Sequence, residues 1–348
     1  MSIATAAGKV ILVGEHAVVH GRPAIAASVR DGATAVVRAR SEHDAASGAP
    51  FSIAVRRADG SVLPTTDRFD RALGALLGAT GRAGVSVHID VALSIPPGGG
   101  LGASAAMGVA IARALEPEAS DEGIFTRAMA WEQVFHGSPS GVDVATSMLG
   151  GCVRFERGAP PRRIDLARPL HLCVGHSGAV SETSAMVAWI GRLQSELAAL
   201  VESAFDAMAE LADDAERALV EGDGARLGRS LGEAHALLAS LGLSTPALDR
   251  MCVQALAAGS LGAKLTGAGG GGAVIALAAD PLAAERIVEA WRAAGFAANA
   301  VAIEPAEAPA PPSSAVRLTS LTSLTSLARH DAIPPYTRAP ALYQEALP

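Results

Sequence analysis

The hydrophobic and polar pattern predicts a run of short strands, then a glycine loop and helices, then strands again. Lys9–Val13, KVILV, is apolar, ends at Gly14-Glu15-His16 and predicts a strand. Ala17–Ser28, broken by Gly21 and Pro23, predicts a turn and a second strand rather than a helix. Thr34–Arg40 and Phe51–Arg57 alternate as strands do, around a polar surface loop, SEHDAASGAP. Arg68–Leu77 predicts a helix, and Val85–Leu93 a strand with Val85, Val87, Ile89 and Val91 on one face. That strand feeds Ile95–Leu115, IPPGGGLGASAAMGVAIARAL, where two prolines stop the strand, three glycines free the backbone and an Ala-rich run predicts a buried helix.

Ile124–Phe135 predicts another helix, and the Ser140-Gly141 turn places Asp143 at the start of an element. Cys152–Arg157 and Leu170–Gly175 predict strands around a Pro/Arg-rich turn, with a domain boundary near 160–168. Apolar residues at three- and four-residue steps, from Met186 to Leu219, predict helix from Thr183 onward. A second helix covers about Ala225–Ala239, and a third starts at Thr245-Pro246 with Thr as N-cap. Strand (Ala263–Leu265), glycine loop (Gly267–Gly272), strand (Ala273–Ala278), helix (Pro281–Ala294) and strand (Phe296–Ile303) follow. Beyond Glu304 the sequence becomes a Pro/Ala linker and an LTS repeat that cannot bury a core, so residues 305–348 are expected to be disordered or loosely attached.

Composition narrows the partners. The formal net charge is −7 with no basic block, which argues against nucleic acid and an anionic membrane as partners. Cys152, Cys173 and Cys252 are odd in number and far apart, as expected of buried free thiols. Glu15 comes too soon for a signal peptide, and there is no convincing apolar span, so a soluble cytoplasmic protein is expected.

The glycine loop that enters a helix predicts a phosphate cradle, because helix N-termini carry unpaired N–H groups and partial positive charge. Neither glycine stretch fits Walker A, which needs Lys after its last Gly. Gly267–Gly272 formally satisfies GxGxxG, but a strand follows where a dinucleotide fold needs a helix. A lone glycine turn is more often structural than functional. Here three stretches occur together: GKVILVGEHAVVHG at 8–21, PPGGGLGASAA at 96–106 and KLTGAGGGG at 264–272. With them the chain resembles the GHMP kinase superfamily over about residues 5–304, and GEHAVVHG followed by HGSPSGVD is similar to the mevalonate kinase family within it.

The resemblance implies an α+β fold of two domains: an N-terminal ribosomal S5-like domain over 1–165 and a C-terminal ferredoxin-like domain over 166–304. It implies ATP-dependent phosphorylation of the 5-hydroxyl of (R)-mevalonate, with ATP and Mg²⁺ as cofactors. Pro97, Gly98, Gly99, Gly100, Leu101, Gly102, Ala103 and Ser104 would cradle ATP, with Gly267, Gly269 and Gly270 closing from the second domain. Ser104 and Glu132 match metal contacts, Asp143 the catalytic aspartate and Lys9 its lysine partner. Glu15, His16, Thr183 and Ala268 would face the substrate. Taken alone, each has a plainer reading: Ser104 as a helix-start serine, Glu132 on a solvated face, Asp143 as a cap, His16 as an ordinary histidine. Three departures stand out: Ala7 for a usual proline, Val144 for an asparagine and Ser184 for a lysine. Rival readings are phosphomevalonate kinase (usually Tyr at the position of His16), galactokinase, homoserine kinase and a non-catalytic ligand sensor. A homodimer is among the assemblies the resemblance allows.

Overall fold

The computed structural model describes residues 1–40, 51–64, 66–81, 86–95 and 99–305. The predicted surface loop at 41–50 and the tail from 306 onward lie outside them.

The first sheet is built around two long strands, β1 (Ser2–Val13) and β2 (Ala24–Ala39), paired antiparallel. The other edge of β2 carries two partners end to end: β5 (Val87–Leu93) beside 33–39 and β6 (Cys152–Phe155) beside 24–27. β3 (Phe51–Arg56) runs parallel to β5 with β4 (Val62–Leu63) outside it, and β7 (Arg162–Ile164) lies beyond β6. The sequence predicts two strands, ending at Ser28 and starting at Thr34, where β2 is one. In the fold Gly32 is a crossing point. A Cβ there would lie 2.4 Å from the amide nitrogen of Gly8, where β1 slips register, so only glycine permits the approach.

Helices α1 (Asp67–Ala79), α2 (Ala103–Leu115), α3 (Asp121–His136) and α4 (Val142–Leu149) follow from this half of the chain. α2 packs on β1 and β2 with α3 and α4 around it, which is why it is apolar on nearly every side. Gly108 leaves room for the Trp131 ring of α3, whose Cδ1 would lie 2.8 Å from a Cβ at that position. For α4 the sequence predicts an element starting at Asp143 but not its type. Its eight residues are too few to display a period, and it is bounded by Gly141 and Gly150, both at positive φ.

The second sheet has the order β11-β8-β10-β9, antiparallel throughout, from β8 (Leu170–His176), β9 (Gly262–Thr266), β10 (Ala273–Ala278) and β11 (Ala297–Ile303). With helices between its first and second and its third and fourth strands, this is the ferredoxin-like arrangement expected. The first crossover holds α5 (Thr183–Glu196), α6 (Ala198–Glu221), α7 (Gly224–Ser240) and α8 (Pro246–Ala257); α9 (Pro281–Ala293) forms the second. The continuous period from Thr183 to Leu219 conceals a break at Leu197, where ψ turns to 48°. Asp223, Thr245 and Asp280 cap α7, α8 and α9 through their side-chain oxygens. Val10, Leu12 and Val13 of β1 share a core with Val201, Phe205 and Met208 of α6, so the first strand serves both halves. The three cysteines are buried and free. Among the described residues no helix is long and apolar enough to cross a membrane.

Candidate active site

The site forms where the outer edge of β1 meets the start of α2. The Lys9 N–H donates to the Leu101 carbonyl at 2.8 Å, and the Lys9 ammonium donates to the Gly100 carbonyl at 3.3 Å. The same Nζ lies 3.2 Å from Asp143 Oδ2, with the lysine side chain 5% exposed and the aspartate 32%. Gly102, at φ +74°, precedes α2 where a Cβ would lie 2.8 Å from Lys9 Cγ. Glycine is therefore required twice over, by backbone conformation and by the lysine stem. No side chain caps α2, so its first N–H groups remain available to an anion.

Ser104 in the first turn of α2 and Glu132 on α3 lie beside this pair. Trp131 Nε1–H donates to the Ser104 carbonyl at 3.1 Å and ties the two helices. Ser104 Oγ and Glu132 Oε1 are buried oxygens without a hydrogen-bond partner. Burial pushes the Glu132 carboxyl up to about 8; the Ser104 hydroxyl pulls against this, the Asp143 charge adds to it, and Lys9 opposes it. His136, one turn on, has Nε2 3.6 Å from Glu132 Oε2, and burial holds its own pKa down. These two buried, unsatisfied oxygens are of the donor type that a hard cation takes. No group of three or more His, Cys, Asp or Glu among the described residues could hold a metal, so any cation here would share its shell with phosphate and water.

The second glycine loop comes from the other sheet. Gly267, Gly269, Gly270, Gly271 and Gly272 all have positive φ. Gly270 N–H donates to the Leu243 carbonyl at 2.8 Å, Gly272 N–H to the Ala179 carbonyl at 2.9 Å, and Ser181 Oγ–H to the Gly269 carbonyl at 2.6 Å. Every second residue leading into this loop reaches across to β1 and its turn. The ammonium of Lys264, fully buried, pairs with Glu15 and donates to the Leu265 carbonyl at 2.6 Å. Burial pushes the Glu15 carboxyl up and the Lys264 ammonium down, and each charge counters the shift in the other. Thr266 Oγ1 accepts from the Ile11 N–H at 2.9 Å and donates to the Ile11 carbonyl at 3.0 Å. His16 Nε2–H donates to the Ala268 carbonyl at 2.9 Å. His16 is buried, which lowers its pKa, and it is the one non-glycine among the described residues with positive φ, +60°.

The fold thus brings Lys9, Asp143, Gly100, Leu101, Gly102, Ser104 and Glu132 together, and separately His16 with Ala268. Gly99 and Ala103 flank the first loop as buried residues. Pro97 and Gly98 lie outside the described residues. Glu15 turns toward Lys264, leaving Oε2 without a partner. Thr183 opens α5 as an exposed residue, while Ser181 two positions earlier makes the contact with the glycine loop. The sequence reading assigned no role to Lys264, Thr266 or Ser181. A signal for Lys264 was present: the chain has only two lysines, Lys9 and Lys264, and its other basic residues are arginines.

Two family models match the chain: the GHMP kinases N terminal domain over residues 67–151 and the GHMP kinases C terminal domain over 215–297. Together these domains define an ATP-dependent small-molecule kinase of the GHMP class. The mevalonate kinase of Aeropyrum pernix is 36% identical over 293 residues, covering 79% of this chain and 87% of that protein. The mevalonate kinase of Pyrococcus furiosus is 32% identical over 316 residues, covering 84% and 93%. The crystal structure of L. major mevalonate kinase in complex with R-mevalonate superposes with a TM-score of 0.75 at 26% identity, over 88% of this chain and 97% of that one. The chain belongs to the mevalonate kinase family of GHMP kinases.

Proposed function

We propose that the protein transfers the γ-phosphoryl group of ATP to the 5-hydroxyl of (R)-mevalonate, giving 5-phosphomevalonate for isoprenoid synthesis in the cytoplasm. The observation that carries this is the Lys9–Asp143 pair set against the Gly100 carbonyl at the start of α2. One carboxylate oxygen is engaged by Lys9, and Asp143 is exposed enough to meet an alcohol. Asp143 takes or orients the hydroxyl proton while the substrate oxygen forms its bond to the γ-phosphorus. The bond from that phosphorus to the bridging oxygen breaks in line, and ADP leaves with the electron pair. The Lys9 ammonium stabilises charge on the alcohol oxygen and the transferring group.

The α2 N-terminus and Gly99, Gly100, Leu101, Gly102 and Ala103 hold the ATP phosphates, with Gly267, Gly269 and Gly270 opposite. Ser104 Oγ and Glu132 Oε1, both orphaned, would hold Mg²⁺. The cation, when bound, supplies charge neutralisation on the phosphates. His16, Ala268 and Thr183 form the substrate side, and Glu15, expected there from the motif, instead lies behind them paired with Lys264. Residues 1–165 and 166–304 make up the two domains of this reading. An ATP-consumption assay across mevalonate, phosphomevalonate, galactose and homoserine tests it. Turnover confined to mevalonate is expected; preference for another alcohol would replace the substrate, and no turnover with any would remove the enzymatic reading.

A further inference from the structure

β1 pairs with β2 along one edge, and among the described residues its other edge at Lys9 has no strand partner in the first sheet. That edge is completed instead by the first glycine loop and by the last residue of β9. The Lys9 N–H goes to the Leu101 carbonyl in the first glycine loop, and two residues on, both backbone groups of Ile11 go to the Thr266 hydroxyl. A single side-chain hydroxyl therefore stands in for a neighbouring strand, accepting from one backbone group and donating to the other. Thr266 is 2% exposed and closes β9 immediately before Gly267. It lies in the alternating series Lys264, Thr266 and Ala268, each of which fixes a different point on β1 or its turn. A Cβ at Gly100 would come to 4.0 Å from the Thr266 carbonyl, so the two glycine loops approach each other at this same residue.

We infer that Thr266 is a positioning residue for phosphoryl transfer: its hydroxyl sets the register of β1 against the second glycine loop and so holds the Lys9 ammonium where Asp143 and the Gly100 carbonyl meet it. The inference rests on the kinase reading above. Thr266 itself touches no reacting atom. Its effect passes along two residues of β1, from Ile11 to Lys9, both of which are held on this edge by hydrogen bonds and on the other by β2. Valine has nearly the shape of threonine but cannot bond to Ile11, whereas serine keeps the hydroxyl and drops only a methyl group. The three side chains therefore separate packing from hydrogen bonding.

The test compares the full-length wild type with Thr266→Val and Thr266→Ser by steady-state kinetics, thermal melting and NMR of ¹³C-labelled lysine. With two lysines in the chain, the NMR spectrum reads Lys9 directly and needs no substrate. In Thr266→Val, kcat is expected to fall about tenfold to a hundredfold, the scale of a small misplacement of a reacting group, with KM for ATP and mevalonate little changed. The Lys9 resonance should shift, and Thr266→Ser should restore both the resonance and kcat. Should Thr266→Val not fold, Thr266→Cys, whose thiol is a weak hydrogen-bonding group, is expected to show the same split in smaller measure. An unmoved Lys9 resonance or a wild-type kcat in the valine or cysteine variant would overturn the inference. So would a serine variant as impaired as valine, or a loss confined to KM. A wild type that turns over no mevalonate would overturn the substrate reading alone, since the Lys9 resonance still reports the clamp.

Discussion

Both lysines of the chain pair with a carboxylate, and the two pairs have opposite surroundings. Lys264 and Glu15 are closed off from solvent on both sides, whereas Lys9 is nearly buried and its partner Asp143 is about a third exposed. A dry pair is held by the loss either charge would suffer alone, so it cannot exchange partners during a reaction. A pair with one open side can: Asp143 can turn to an alcohol and Lys9 to a phosphoryl oxygen without stranding a charge. Near-identical chemistry is thus left open to a ligand in one place and joins β9 to the β1 turn in the other.

The largest break in that comparison comes from the open pair. Asp143→Asn should lower kcat by about two to four orders of magnitude, the usual range for a lost general base, while ATP still binds. Steady-state rates and ATP titration measure both, and wild-type turnover would remove Asp143 from the mechanism. Breaking the dry pair should act on stability instead. Lys264→Met leaves Glu15 buried and uncompensated, at a cost of about 3–5 kcal/mol in urea unfolding. Adding Glu15→Gln to that variant should recover much of the loss; a double variant no better than the single would show that the charge was not the cause.

Glu132 sharpens the contrast as a buried carboxyl with no lysine bonded to it. Its pKa, raised from 4.5 to about 8, means that the folded state keeps the proton well above the pH at which the unfolded chain releases it. The stabilising contribution is then full below about pH 4.5 and is lost as pH rises through about 8. Glutamine mimics the protonated form, so Glu132→Gln should melt like wild type at low pH and progressively above it as pH rises to 8. Melting curves across that range, without added nucleotide, would show a gap that widens with pH; a constant gap would contradict the assignment.

Much of this was legible in the sequence. β10 spans the predicted Ala273–Ala278, and Thr245 caps α8 as its Thr-Pro signature requires. The Lys9–Asp143 pair followed from motifs that lie far apart in the chain. What escaped did so for identifiable reasons. The join between the two predicted strands passes through Gly32, whose close approach to Gly8 of β1 a local reading cannot see. The break at Leu197 leaves the apolar period intact on either side, so periodicity does not register it. Lys264 and Thr266 sit in a buried strand with no alternation to mark a polar face, and their partners, Glu15 and Ile11, are about 250 residues away.

The scarcity of lysine has a further consequence for how this protein meets acylating chemistry. With arginine carrying every other positive side chain, the ε-amines are confined to the two sheltered positions beside the glycine loops. Reagents or metabolites that acylate lysine find no ε-amine on the outer surface to consume them harmlessly. An acyl group that does reach one neutralises either the cation beside Asp143 or the one that balances Glu15. Partial, graded acylation of exterior lysines is therefore closed to this chain.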